Sequence, residues 1–379
     1  MAKKKTLKFN NTTLFILIAI AVILGLIVAL AFSPVGQGLM DGMLQDNQDN
    51  GNQNNGNGDL KQVVQLGGNL SNVNQEVLLE NVNCKIHFIN VGQGDAILCQ
   101  FSDGVNVLID GGSTSSGLAE IRTNFLEYLF SVGVVDTIDY MIITHPDTDH
   151  YNMLTAVMDS FEVEKIFYND TRKNTTYSTF IDRIAEEVST ENNIGFDGDG
   201  EVYDNVISGV GYSFDIIAPG YERFQDENEE FDAYESNGMS PFVLLEVSNR
   251  KVLFTGDATY ETEEWLLEYV AETNYDIDVD VLKVGHHGSD SSSTAEFLAK
   301  VNAEYGVISS DDGTKHDHPT PQVMNRLFDE GVVTYRTNRH GNIVLNVDVD
   351  GDFAFQVDNE VPVDNNKNGI NDKMIITQD

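Results

Sequence analysis

The sequence predicts a layered domain in which β-strands alternate with α-helices, and three observations predict it. From about residue 80, short apolar runs end on Gly or Asp, the mark of strands closed by turns. Between and after them lie longer segments whose apolar residues recur at about i, i+3 and i+4, the spacing of one helix face. A hydrophobic fraction of 41%, with 20 Phe among 379 residues, is enough to fill a core between such layers.

In chain order, residues 1–12 form a basic segment with Lys3, Lys4, Lys5 and Lys8 and no acid. Residues 13–32, TLFILIAIAVILGLIVALAF, are uncharged. At about 1.5 Å per residue, a helix of that length crosses a hydrocarbon core of roughly 30 Å. The lysines ahead of it predict a cytoplasmic N-terminus and put the chain beyond Phe32 outside the cell. The expectation is an uncleaved, single-pass anchor in the plasma membrane. The rival is secretion after cleavage near Ala29-Leu30-Ala31, although signal peptides usually carry a shorter apolar region of about 7–15 residues.

Residues 33–79 include QDNQDNGNQNNGNG, which has no apolar side chain to bury and predicts a flexible spacer. A domain over 80–358 opens with the strand-like runs KIHFINV, AILCQF, NVLIDGG and YMIITHP. Its helix-like segments are LAEIRTNFLEYLFSVG, YSTFIDRIAEEVST, TEEWLLEYVAET, TAEFLAKVNAE and PQVMNRLFDEG. The acidic stretch DENEEFDAYE (226–235) reads as a solvated loop, and 359–379 as an acidic tail.

The chain carries 61 Asp and Glu against 22 Lys and Arg, a net charge of −39. Such a surface repels nucleic-acid phosphate at long range unless salt or bound cations screen it, and no basic stripe appears. It suits an exported protein that stays soluble through its charge. Two cysteines, Cys84 and Cys99, cannot build a disulfide framework, and neither has zinc-ligand spacing. Pairing of the first two strands about their turn would bring Cys99 nearer His87 than Cys84.

The densest chemistry lies in ITHPDTDHYN, which supplies His145, Asp147, Asp149 and His150 directly after the run DYMII. Four imidazole and carboxylate groups within six residues can face a shared metal centre. These donors suit zinc or, with more oxygen, manganese. The bland alternative, a polar turn held by caps and salt bridges, explains a lone histidine better than this cluster. The Gly-rich GQGD (92–95) does not open a helix as phosphate-binding loops do, so it reads as a tight hairpin turn with structural glycines.

His-x-Asp-x-Asp-His resembles the metallo-β-lactamase superfamily motif His-x-His-x-Asp-His, with Asp147 at the second position. That variant resembles the extracellular hydrolase domain of ComEC-type competence proteins. Other segments agree with it in order: FINVGQGDA (88–96), VLIDGG (107–112), NGMS (237–240), LFTGDA (253–258), LKVGHHGSDSS (282–292) and HPTPQVM (318–324). The resemblance covers about residues 84–350. Two departures stand out. Asn90 occupies a place where the family commonly has Asp, and Tyr151, Asn152 and Met153 replace a small Gly-Gly segment.

The resemblance implies an α+β fold, the αββα sandwich of two mixed sheets between outer helices, with two divalent metals at one edge. It implies that Asp257 bridges the metals, that His145 and Asp147 hold the first, and that Asp149, His150 and His287 hold the second. Adjacent residues of an extended segment point in opposite directions, so His287 is assigned as ligand and His286 as the phosphate contact. Asn237 and Ser240 line the site, while Asp95 and Asp110 support it from behind. The implied activity is hydrolysis of a phosphodiester by a metal-bound hydroxide, oriented by Asp149, with His318 serving the phosphate or the leaving oxygen. Extracellular DNA is the first substrate expected. A phosphorylcholine-esterase-like action on cell-surface material and a non-catalytic, metal-stabilised binding protein are the alternatives.

Near the C-terminus, DNNKNGIND places Asp364, Asn366, Asn368 and Asp372 at the first, third, fifth and ninth positions of a calcium-loop pattern, with Gly369 at the sixth. Ile375 stands where an EF-hand has its bidentate Glu, so the pattern looks more like short extracellular calcium loops. A calcium site and a polar tail both remain open there.

Overall fold

The structure, a computed structural model, describes residues 81–363 except 171–173, 197–199, 201, 221–232 and 312–316. The expected anchor 13–32, the spacer, and the calcium-loop residues Asp364, Asn366, Asn368 and Asp372 lie outside the described residues. No helix among the described residues is long and apolar enough to cross a membrane.

Strand periodicity sorts the apolar side chains into layers. In Thr137–Ile143, Met141 and Ile143 join one apolar cluster while Ile142 between them joins another, as a period of two requires. The strands are β1 (Val82–Phe88), β2 (Ile97–Phe101), β3 (Asn106–Ile109), β4 (Thr137–Ile143), β5 (Glu162–Asn169) and β6 (Asn193–Phe196). They continue with β7 (Val202–Gly209), β8 (Tyr212–Ile217), β9 (Phe242–Val247), β10 (Arg250–Phe254) and β11 (Val281–Lys283). The last are β12 (Tyr305–Ile308), β13 (Val333–Arg336), β14 (Ile343–Asp348) and β15 (Phe353–Val357).

One sheet has the order β15-β14-β1-β2-β3-β4-β5-β6 and the other β13-β12-β11-β10-β9-β8-β7. Both are mixed. In the first, pairing is antiparallel up to β3 and parallel from β3 to β6. In the second it is antiparallel from β7 to β10 and parallel from β10 to β13.

Three cores hold four layers together. The central one, with Ile86, Phe88, Phe214, Leu245 and Phe254, draws on both sheets. Helices Leu118–Ser131, Leu154–Ser160 and Thr175–Glu187 cover the outside of the first sheet through Phe125, Leu129, Val157 and Phe180. Helices Tyr260–Thr273, Ala295–Val301 and Pro321–Asp329 cover the second through Leu266, Phe297 and Leu327. The expected αββα layering is what the described residues adopt. Helix starts are written locally: Asn174, Thr294 and Thr320 accept from the backbone N–H of Tyr177, Phe297 and Val323.

Two expectations change. The GQGD segment is no tight turn: β1 and β2 are joined by the longer connection 89–96, which folds over the ends of other strands. The Asp95 N–H donates to the Asp149 carbonyl at 3.0 Å, and the Gly112 N–H to the Asp95 carbonyl at 3.1 Å. Gly94 permits this approach, since a Cβ there would lie 2.3 Å from the Gly112 carbonyl oxygen and 2.6 Å from that of Asp149. The acidic stretch 226–235 is not a loop throughout, because Ala233–Gly238 is a short helix that carries Ser236 and Asn237; residues 226–232 lie outside the described residues. Cys84 and Cys99 are buried and free, with Cys99 opposite Ile86, next to His87.

Candidate metal centre

The chemistry gathers where strands of both sheets end. Asp110 follows β3, the His145–His150 loop follows β4, Asp257 follows β10, and the His286–His287 pair follows β11. Each of these strands has a parallel neighbour, so their C-terminal ends open on one crevice, where strand ends leave room for loops.

Asp257 is the hub. Its Oδ1 lies 3.2 Å from His150 Nε2 and 3.5 Å from His287 Nε2. Its Oδ2 lies 3.8 Å from His145 Nε2 and 3.6 Å from His286 Nε2. His287 Nε2 is also 3.5 Å from Asp149 Oδ2. His145, His150 and Asp257 form one group with ligand atoms within 4.8 Å of one another, and Asp149, His150 and His287 form a second. Sharing of His150 between the groups makes this one centre with two overlapping pockets.

These atoms lack other occupation. His150 Nε2, His287 Nε2 and Asp257 Oδ1 are buried and accept or donate no hydrogen bond. Buried polar atoms are normally paired, so three unpaired ones converging from three strand ends fit a divalent cation. Imidazole nitrogen with carboxylate oxygen suits zinc and manganese alike.

The opposite faces of the ligand rings are fixed by hydrogen bonds. Asp110 Oδ2 lies 2.8 Å from His150 Nδ1 and accepts from the Thr144 hydroxyl at 2.8 Å, while its Oδ1 accepts from the Thr144 N–H. Nδ1 of His145 sits 3.1 Å from the Thr144 hydroxyl and 3.2 Å from that of Ser240, which also accepts the Asp257 N–H at 3.1 Å. Nδ1 of His287 lies 3.0 Å from the Ser309 carbonyl. Such partners set the ring that faces the metal.

The electrostatics reflect surplus negative charge. Burial alone would lower His150, but the Asp257 and Asp110 carboxylates overcome it and hold the imidazole well above its usual range. Burial opposes ionisation of Asp149 too, yet its close approach to His287 and the charge of His150 bring it down to about 2. His145 follows burial, with His150 acting in the same direction, and falls to about 4. Carboxylates this deeply ionised call for cations, which imidazolium supplies when no metal is bound.

Asp147 stands at the rim, where its Oδ1 accepts from the Ser236 hydroxyl at 2.8 Å; it is in neither of the two ligand groups. Asn237 Nδ2 lies 3.2 Å from His286 Nε2. His318 is partly exposed and meets the His286 ring edge-on at 5.6 Å between centroids. Of the two departures from the family pattern, Asn90 accepts the Gly92 N–H within its own turn at 3.2 Å. Tyr151 packs against Tyr177 and Phe180 in the helix layer outside the first sheet.

The histidine pair corrects one premise. His286 and His287 are not extended but adopt left-handed conformations, φ 49° and 53°, in a single tight turn. Their rings therefore do not diverge: both Nε2 atoms come within 3.6 Å of Asp257. His286 is tied in addition to the Ser291 hydroxyl through Nδ1, at 3.0 Å.

Two further residues take part in the centre without belonging to any of the expected sets. Thr144 links Asp110 to the ring nitrogens of His145 and His150, and its position immediately before His145 is the available signal. Lys283 is fully buried with its Nζ 2.8 Å from Asp95 Oδ2. A lysine inside the apolar run VDVLKV breaks the pattern of a buried strand, and that break is legible.

Residues 89–229 match the Metallo-beta-lactamase superfamily, whose members are generally metal-dependent hydrolases. The chain is similar to ComE operon protein 3 of Bacillus subtilis strain 168, 24% identical over 272 residues, covering 68% of this chain and 32% of that protein. It is similar to Recombination protein 2 of Haemophilus influenzae, 26% identical over 263 residues, covering 69% and 29% respectively. Both are ComEC-type competence proteins, so the chain spans about a third of the length of these curated relatives. Among solved structures, a new diphosphatase from the PhnP family aligns with 69% of this chain and 97% of its own at 14% identity, with a TM-score of 0.39.

Proposed function

We propose that this chain, with its metallo-β-lactamase fold and its resemblance to ComEC-type proteins, is a membrane-anchored phosphodiesterase that cleaves nucleic acid outside the cell. One observation carries the hydrolase reading: the unpaired, buried atoms His150 Nε2, His287 Nε2 and Asp257 Oδ1 converge on a single point in the crevice. Two divalent cations bound there would lower the pKa of water toward neutrality and neutralise charge that builds on a phosphoryl oxygen.

The chain's own side chains supply the rest. Asp149, ionised and at the rim side of His287, accepts a hydrogen bond from the attacking water and orients it. His145, His150, His287 and Asp257 would hold the metals, with Asp147 at the rim as a further candidate ligand. His286, braced by Ser291 and Asn237, faces the same point and contacts a phosphate oxygen. His318, partly exposed beside His286, donates to the leaving oxygen.

The acidic balance favours a second reading, a phosphoesterase of small cell-surface phosphodiesters, because a net charge of −39 works against a long polyanion. The test uses the full chain in detergent with manganese or zinc. DNA, RNA and bis-p-nitrophenyl phosphate are offered beside an Asp257→Ala control. Metal-dependent cleavage of nucleic acid that the control lacks supports the nuclease. Cleavage of the small ester alone moves the substrate to surface phosphodiesters. Two bound metals without turnover of any of them overturn both readings and leave a metal-stabilised binding protein.

A further inference from the structure

Behind the metal centre lies an ion pair that the proposed hydrolysis does not use. Lys283 is 0% exposed and Asp95 1% exposed, and Nζ of the first lies 2.8 Å from Oδ2 of the second. The ammonium also donates to the Val284 carbonyl at 3.1 Å. Lys283 ends β11 of the second sheet, and Asp95 belongs to the connection leading into β2 of the first, so the pair spans the two sheets.

The other carboxylate oxygen of Asp95 has no hydrogen-bond partner. It lies 3.7 Å from His287 Nδ1, the ring nitrogen that also meets the Ser309 carbonyl. Asp95, Asp257 and His287 together bring ligand atoms within 4.8 Å of one another, as close as the two groups assigned to metal. By distance alone Asp95 would be a further ligand. What distinguishes it from Asp149 and Asp257 is the buried ammonium on its second oxygen.

We infer that Lys283 is a positioning residue that withholds Asp95 from the metals, serving as a fixed internal counter-cation and so setting which carboxylates ligate. Two effects act together. The ammonium holds the carboxylate toward β11, and its charge makes a second cation on the same group unfavourable, because like charges in a poorly screened interior repel strongly. Without it, Asp95 is a buried anion left to be balanced by the neighbouring His287 imidazolium or by a metal. The inference rests on the two-metal reading of the centre.

The test is metal titration of the full chain, stripped with chelator, with manganese as probe and calorimetry and thermal unfolding as readouts. Asp95→Asn keeps an acceptor for the ammonium, and it is expected to bind manganese within about twofold of wild type. Lys283→Met is expected to unfold at lower temperature when metal-free. It should also bind manganese about tenfold or more tightly, with a larger metal-induced rise in Tm, the scale on which groups behind metal ligands act. Both gains should vanish in the Lys283→Met/Asp95→Asn double variant.

Loss of a metal in Asp95→Asn would overturn the inference by making Asp95 a wild-type ligand. Unchanged or weakened manganese binding in Lys283→Met would overturn it as well. If Lys283→Met does not fold even with manganese, Asp95→Asn still decides the outcome alone. A wild-type chain that takes up no manganese or zinc would instead defeat the metal reading itself, a separate failure visible in the control.

Discussion

Asp110 Oδ2 lies 2.8 Å from Nδ1 of His150 and thereby turns the other nitrogen of that ring toward Asp257. Its remaining oxygen is engaged by the Thr144 N–H. Asp110→Asn should therefore keep the fold but weaken metal binding by about 10–100-fold, the usual loss when the partner of a ligand histidine is changed. Calorimetric titration of the stripped protein with zinc measures this; unchanged affinity would mean that Thr144 alone orients the ring.

The two adjacent histidines should separate in experiment. His287 reaches both Asp149 and Asp257, so His287→Ala should lose metal content along with activity. His286 reaches Asp257 but is braced by Ser291 and Asn237 at the open side. His286→Ala should retain metal and lose about 10²–10⁴-fold in turnover, as expected for removal of a proton-handling or phosphate-contacting group. Elemental analysis beside turnover of bis-p-nitrophenyl phosphate distinguishes them, and equal loss of metal in both would make His286 a ligand.

His87, which is outside every candidate ligand group, gives the fold an acid sensitivity of its own. Its ring is buried with Nδ1 2.9 Å from the Tyr128 hydroxyl, and burial, aided by the nearby Lys85 ammonium, lowers it to about 4. In the unfolded chain it titrates at about 6.5. Between these values the unfolded state binds the extra proton, so the contribution is complete above 6.5 and is lost as pH falls toward 4. The loss amounts to about 3 kcal/mol at 1.36 kcal/mol per unit. Urea unfolding of the metal-free protein at pH 7.5 and 4.5 should show His87→Gln losing less stability than wild type by about that amount.

Gly94→Ala should damage the site through the backbone. Its Cβ would fall 2.3 Å from the Gly112 carbonyl oxygen and 2.6 Å from that of Asp149, so the loop bearing His145, Asp149 and His150 must move. A destabilisation of about 1–3 kcal/mol is expected, together with weaker metal binding. Gly104→Ala is the control, since Gly104 also has positive φ but meets nothing within 4 Å. Equal effects of the two substitutions on metal affinity would remove the steric explanation.

Much of the fold is legible in the sequence because it is local. The five helix-like segments and the first four strand-like runs all lie on elements of their type, since period and caps are properties of neighbouring residues. The ligand motif is legible for the same reason, as four donors in six residues. The hidden features depend on distant segments. Nothing within GQGD tells that Gly94 will press on Asp149, and there the tight-turn expectation fails although β1 and β2 do pair as a hairpin. The left-handed turn of His286 and His287 is hidden because such conformations are rare outside Gly, and the adjoining Gly285 and Gly288 give only a faint cue. Lys283 signals its oddity but not its partner, which lies on the other sheet.

The ligand atoms come from chain positions as far apart as His145 and His287, and from both sheets. A chain that folds from its N-terminal end carries His145, Asp149 and His150 ready-made but waits for β10 and β11 before Asp257 and His287 arrive. An ion held there would tie the two sheets together beyond the apolar core and the Lys283–Asp95 pair they already share. Removal of the ion should therefore lower stability as well as turnover.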